Sequence, residues 1–181
     1  PVNDVTIFSI VPCPDGSFVM GGDKKDFSGK FVGGQSILIK IDSNGQPVWE
    51  KKYQFASMDY ITQIFQLLDG YLFMAEGRVD TVEFSKRSRL FLCKSNSEGD
   101  IVWKKEFITT PQAEGRIIVT PLKNGNFYCT YPGNTNDKKY QTRIFTITPN
   151  GDILDEVAII EPGISSVFEQ PDGSKVFFHN K

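Results

Sequence analysis

A chain of 181 residues, 39% hydrophobic and 23% charged, is long enough for one domain with a substantial core and ordinary for a soluble globular protein. Its net charge of -2 at pH 7 argues against a dedicated nucleic-acid binder, which would carry a basic excess. No apolar run approaches the roughly 18 residues that a membrane-spanning helix requires.

Taken in chain order, the sequence repeats one unit. Residues 5–54 read as strand Thr6–Cys13, a turn at Asp15-Gly16, strand Ser17–Met20 and a long loop Asp23–Gln35. Strand Ile37–Ile41, a turn at Asn44-Gly45 and strand Pro47–Tyr53 complete that unit. Residues 59–108 repeat it with strands Tyr60–Leu67, Tyr71–Met74, Phe91–Lys94 and Ile101–Phe107, turning at Asp69-Gly70 and Glu98-Gly99 around a loop Gly77–Ser88. Residues 114–160 do so again, with strands Gly115–Leu122, Asn126–Cys129, Arg143–Ile147 and Ile153–Ile159. Their turns are Asn124-Gly125 and Asn150-Gly151, and their loop is Asn134–Thr142. Residues 161–181 supply half a unit, strands Gly163–Gln170 and Ser174–Phe177 about Asp172-Gly173.

Two glycine-turn series in step at roughly 50 residues mean one supersecondary unit copied in tandem. Apolar runs joined by Asp-Gly or Asn-Gly signal hairpins, because these residues tolerate the positive φ of a tight turn. Ile10, Ile64, Val119 and Val167 share one position before the first turn, where β-branched residues suit a buried pleated surface. No 3.6-residue apolar stripe intervenes, so the chain is expected to be all-β: a single β-propeller-like domain of about three and a half four-stranded blades. Gly21-Gly22 and Gly33-Gly34 flank the first long loop, which suggests hinge or bulge duty.

Trp49 and Trp103 each stand four residues after a turn glycine, followed by Lys51-Lys52 and Lys104-Lys105. The segments Asn44-Gly45-Gln46-Pro47-Val48-Trp49-Glu50-Lys51 and Glu98-Gly99-Asp100-Ile101-Val102-Trp103-Lys104-Lys105 resemble the glycine-to-tryptophan motif of quinoprotein-type propeller repeats. With Ile37-Leu38-Ile39-Lys40-Ile41-Asp42 they also resemble repeats of secreted and lipid-anchored bacterial propellers. The resemblance implies that each tryptophan packs between neighbouring blades. The third copy departs from it, with Asp155 in place of the indole.

Three and a half blades leave open strand edges, which invite aggregation unless covered. The expected remedies are further blades, self-association or a local cap. The final strand, Lys175–Phe178, is the edge expected to seek a partner.

Function is sought in the long loops, which a rigid scaffold would hold on one face. They carry Lys24, Lys25, Lys30, Arg78, Lys86, Arg87, Lys138 and Lys139 against Asp23, Asp26, Asp80, Glu83 and Asp137, with Arg89 and Arg143 adjoining. Phe27, Phe31, Phe84 and Tyr140 lie among them, a composition common in protein- and glycan-binding surfaces. Asp59 and Glu114, with Asp4 and Glu161 one position earlier in their copies, are expected as loop acids at a channel mouth, solvated or holding a hard cation.

Catalytic chemistry is sparse. His179 is the only histidine, it lies at a chain end where fraying is common, and nucleophilic triads need a base. Cys13, Cys93 and Cys129 form no C-x-x-C pair and read as small apolar fillers, so no metal or other cofactor is expected. Glycines serve turns, with neither a P-loop nor a Rossmann fingerprint.

The expectation is a non-catalytic binding or scaffold module of the bacterial cell envelope or exterior, its export signal removed ahead of Pro1. It would recognise a protein or glycan, with no nucleic acid and no transmembrane segment. The alternative is a fragment of a propeller enzyme such as a quinone-dependent dehydrogenase.

Overall fold

The computed structural model describes residues 4–26, 33–56, 58–78, 88–108, 117–134, 140–159 and 164–179. All of its regular structure is strand. The first sheet joins β1 (Asp4–Pro12), β2 (Phe18–Asp26), β3 (Gly33–Ile41) and β4 (Pro47–Tyr53) in that order. The second joins β5 (Met58–Leu67), β6 (Gly70–Arg78), β7 (Ser88–Ser95) and β8 (Ile101–Ile108). The third joins β9 (Ile118–Pro121), β10 (Phe127–Asn134), β11 (Tyr140–Ile147) and β12 (Ile153–Ile159), and β13 (Ile164–Glu169) pairs with β14 (Lys175–His179) as a hairpin. Every pairing is antiparallel. The chain divides into two compact units, Pro1–Ile108 and Thr109–Lys181. Among the described residues no helix is long and apolar enough to cross a membrane.

The repetition extends to irregularities. The register slips between Ile7 and Ser9, Ile61 and Gln63, and Ile164 and Ser166, always two residues before the shared β-branched position. It slips again between Lys40 and Ile41, Lys94 and Ser95, and Thr146 and Ile147, bulging out Val48, Val102 and Leu154. Bulges add twist at the points where they sit, so like placement gives the sheets like shapes.

Six turns share one construction. In the turn Cys13–Ser17, Gly16 N–H donates to the Cys13 carbonyl at 3.0 Å and Cys13 N–H to the Ser17 carbonyl at 2.8 Å. The same pair of bonds closes the turns at Gly45, Gly99, Gly125, Gly151 and Gly173, each with φ between 79° and 90°. This is a three-residue loop with glycine in the left-handed bulge position. The two series differ in how the strand after the turn is tied down. In the first, Asp15, Asn124 and Asp172 accept the amide two residues on, at 2.9–3.0 Å. In the second, Asp42, Asn96 and Thr148, three residues before the glycine, accept the amide after it at 2.7–3.1 Å.

Asp69-Gly70 corrects the expected alignment. Leu67 pairs directly with Gly70, leaving Leu68 and Asp69 as a two-residue tip, and Gly70 has φ 150° inside the strand. The loop is one residue shorter, so the second strand shifts. Phe73, not Met74, stands opposite Ile64 as Met20 stands opposite Ile10 and Cys129 opposite Val119.

The second strands also run further than expected, to Asp26, Arg78 and Asn134, and the third begin earlier, at Gly33, Ser88 and Tyr140. Ser17, Asn126 and Ser174 belong to turns. Gly21-Gly22 and Gly33-Gly34 are strand residues, the first pair opposite the Ile7–Ser9 bulge. His179 pairs with Ile164 at the end of β14, so its backbone is not frayed.

In the first unit the sheets pack face to face. Val19, Leu38, Ile61, Ile64, Tyr71, Phe73, Ala75, Phe91 and Cys93 form one buried cluster, flanked by Val11, Cys13, Trp49, Tyr53 and Phe55. Burying each large apolar side chain contributes about 1.5–3 kcal/mol. A Cβ on Gly21 would stand 2.6 Å from the Ile64 side chain, so its bareness sets how closely β2 approaches β5. Cys93 and Cys129 are fully buried and Cys13 partly so, the filler role expected of them.

Lysines on the third strands reach the turn acids: Lys40 Nζ lies 3.0 Å from Asp15 and Lys94 Nζ 2.7 Å from Asp69. Lys51 Nζ reaches Asp100 at 2.6 Å. All three carboxyls are held below their ordinary range, Asp15 by the Ser17 hydroxyl and then Lys40, Asp69 by Lys94, Asp100 by Lys51. A depressed folded pKa means that the unfolded chain binds protons first. The contribution is therefore present above about pH 4 and fades as acid titrates the folded carboxyls. Replacing all three with asparagine is expected to flatten the acid limb of urea-unfolding stability between about pH 5 and pH 3. An unchanged limb would refute these pairs as its source.

Candidate binding surface

At one edge of the first unit's seam, β4 meets the turn that follows β7. Trp49 lies edge-on to Tyr71, ring centroids 6.2 Å apart. A Cβ on Gly99 would come within 3.2 Å of the indole, so the ring lies close over the turn backbone. Tyr53 donates its hydroxyl to the Gly99 carbonyl at 2.6 Å, and burial raises its pKa. With Lys51 on Asp100, β4 thus grips the turn at Gly99 by an indole, a phenol and an ammonium. Docking of Trp49 on the next sheet is what the glycine-to-tryptophan pattern implied.

Where Asp155 replaces the indole, its partners change too. Trp49 pairs with Lys40 and Trp103 with Lys94, whereas Asp155 pairs with Thr146 and accepts its amide at 2.8 Å. The turn acid becomes Asn124. Lysine, aromatic and turn carboxylate are replaced together.

The second unit stacks in the same sense. Thr120 Oγ1 donates to the Val167 carbonyl at 3.2 Å, as Ser9 Oγ accepts from Ile64 N–H at 3.1 Å, and Val167 and Ile64 are equivalent. Lys123 N–H donates to Glu169 at 2.8 Å. Tyr128 meets Phe177 at 6.0 Å and lies beneath the Lys175 ammonium at 4.8 Å.

The expected site residues gather at one end of each sheet, where strand two hands over to strand three. Lys24 and Lys25 are in β2, opposite Gln35 and Gly34, not in a loop. Arg78 closes β6 opposite Ser88, and Tyr140 opens β11 opposite Asn134. Phe27, Phe31, Phe84, Lys86, Arg87, Lys138 and Lys139 lie outside the described residues, as does Lys30.

The described cations at these ends face acids. Lys24 Nζ is 2.9 Å from Glu50, which Lys52 also approaches at 3.6 Å, and Lys25 Nζ is 4.0 Å from Asp23. Arg89 meets Glu106 at 3.3 Å and Arg143 meets Glu156 at 2.9 Å. Lys24 foremost keeps the Glu50 carboxyl ionised below its ordinary range. Lys24, Lys25, Arg89 and Arg143 are thus each met by a carboxylate.

Asp59 is the acid that sequence reasoning misplaced. It stands within β5, 1% exposed, not in a solvated loop. Its Oδ1 accepts Ser36 N–H at 2.6 Å, and its Oδ2 accepts Phe55 and Ala56 N–H at 2.7 and 2.8 Å and Gln54 Nε2 at 3.4 Å. One carboxylate therefore ties β3 and the inter-sheet linker to β5, with its lone pairs spent on amides. Phe55 is stacked between Tyr53 and Phe91, and Lys104 lies 5.4 Å from both the Phe55 and Phe91 rings. Asp4 is an exposed residue of β1, while Glu114 and Glu161 lie outside the described residues. Among the described residues no group of three or more His, Cys, Asp or Glu is arranged to hold a metal ion. No protein-family model matches the chain, and no curated protein matches it.

Proposed function

We propose that the chain is a run of propeller-type blades serving as a non-catalytic binding or scaffold module of the bacterial cell envelope or exterior. The observation that carries this reading is the repeated seam: the same face of a sheet meets the first strand of the next at Ser9–Ile64 and at Thr120–Val167. Repeats that bury one another's faces make a rigid scaffold, and the long connections all leave such a scaffold from equivalent strand ends. A protein or glycan partner meets those connections, with Lys24, Lys25, Arg78 and Tyr140 at their roots.

Charge reversal at Lys24, Lys25, Lys86, Arg87, Lys138 and Lys139 tests the surface on glycan arrays and in pull-downs with envelope proteins. A charge contact at a protein surface contributes about 0.2–1 kcal/mol, so reversing all six should weaken binding by roughly tenfold or more. Binding that survives in a variant with the parent melting profile would remove this surface from consideration. Stoichiometric retention of pyrroloquinoline quinone with calcium would instead favour the dehydrogenase-fragment reading.

A further inference from the structure

We propose that the seam of the first unit binds a calcium ion through the Asp23 carboxylate, the Ser36 hydroxyl and the Asp59 main-chain carbonyl, beside the bare Cα of Gly34. The proposal goes beyond the binding reading above and does not depend on it.

Asp23 in β2 and Ser36 in β3 stand directly opposite each other. Gly34, two residues before Ser36, shares their face of the sheet. Asp23 is 5% exposed and Ser36 0%. Yet Asp23 Oδ1 and Ser36 Oγ, both closed off from solvent, have no hydrogen-bond partner. Lys25 Nζ stands 4.0 Å from the other Asp23 oxygen, too far for a hydrogen bond. A buried carboxylate oxygen in this position is costly unless something meets it. Gly34 shows where that something fits. A Cβ there would lie 3.3 Å from Asp23 Oδ2 and 3.6 Å from the Asp59 carbonyl oxygen, so both oxygens border the notch that the missing side chain leaves.

The donor set selects the ion. Carboxylate, hydroxyl and carbonyl oxygens suit a hard cation and not a thiolate- or imidazole-seeking one. Calcium accepts an irregular oxygen set completed by water, whereas magnesium demands a near-ideal octahedron. Asp59 takes part through its backbone alone, because its carboxylate already accepts the Ser36, Phe55 and Ala56 amides. A carbonyl oxygen has two lone pairs, so a ladder bond leaves one for the ion. Only one acid side chain contributes, which makes the site distinct from a cluster of acids. It also places the affinity among weak calcium sites, with Kd about 10⁻⁴–10⁻³ M. The bound ion ties β2, β3 and β5 together across the seam.

The test is thermal melting of the full chain, stripped of metal by a chelator, with calcium chloride added to about 10 mM, roughly ten or more times the expected Kd. Magnesium chloride at the same concentration controls for ionic strength. Calcium should raise Tm at least about 3 °C above the magnesium value. Calorimetric titration should give about one ion per chain with Kd in the range above. Asp23→Asn should abolish the calcium response yet melt no lower than the parent in calcium-free buffer, because it removes a buried charge and offers its NH2 to the Ser36 hydroxyl. Ser36→Ala keeps the backbone amide on Asp59 and should weaken calcium binding roughly fivefold. A parent that melts alike in both salts would leave the notch to a buried water and overturn the proposal. So would a calcium response that survives in Asp23→Asn. An Asp23→Asn chain that melts well below the parent without calcium would make Asp23 a structural residue and overturn it too.

Discussion

Asp59→Asn is expected to destabilise the first unit by about 3 kcal/mol, nearly as much as Asp59→Ala. The carboxylate is an acceptor on both oxygens, facing Ser36 on one side and Phe55 and Ala56 on the other. An asparagine fits the same volume but must turn its NH2 toward one of those donors, leaving a buried amide without an acceptor and a second donor beside it. Alanine leaves all of these amides unmet. In a unit of this size 1 kcal/mol moves Tm by roughly 4–8 °C, so the melting transition should fall by roughly 10–25 °C. Asp4→Asn is the control, since an exposed acid in β1 should change stability by no more than about 0.5 kcal/mol. Hydrogen exchange adds a local readout: the Ser36, Phe55 and Ala56 amides should lose protection in Asp59→Asn ahead of their neighbours. A variant that melts with the parent would show that this carboxylate is not the tie between β3, the linker and β5.

The all-β architecture and its repeat were legible because they rest on local chemistry. Glycine at φ near 80° and an Asp, Asn or Thr that accepts the next strand's amide are requirements met within five residues. Strand ends were less legible. Gly21-Gly22-Asp23-Lys24-Lys25 is a poor strand sequence by propensity, yet pairing with β1 on one side and β3 on the other holds it extended. Asp59 was misread because its burial depends on a seam between sheets far apart in sequence. The one local hint was a linker, residues 54–57, with amides to satisfy and no glycine or proline in its sequence. The coupled replacement of Lys, Trp and turn Asp by Thr146, Asp155 and Asn124 was visible only in part, because the alignment ran along the chain and these residues meet across it. The expected site residues were placed near the right strand ends, but Lys24 could not be known to face Glu50 before the β2–β3–β4 register was known.

Gly70 is where a correct motif concealed a different structure, and it should be the most sensitive of the turn glycines. An Asp-Gly pair between apolar runs fits both a three-residue loop with a left-handed glycine and a two-residue tip. At Gly45 the first applies: φ is 79° and a Cβ would meet nothing within 4 Å. Alanine there carries only the left-handed penalty of roughly 1–2 kcal/mol, and asparagine less. At Gly70 a Cβ would sit 2.0 Å from the Ser95 carbonyl oxygen and 2.8 Å from Asn96 backbone atoms, at φ 150°. Backbone cannot swing aside as a side chain can, so Gly70→Ala must part the β6–β7 pairing at Tyr71–Ser95 or reshape the tip. The expected cost is about 3 kcal/mol or more, combining a φ that L side chains avoid with the overlap. Urea unfolding of Gly45→Ala, Gly45→Asn and Gly70→Ala under one set of conditions ranks them directly. Equal losses for the two alanine variants would mean that Asp69-Gly70 turns as the other six do, and that Met74, not Phe73, belongs opposite Ile64.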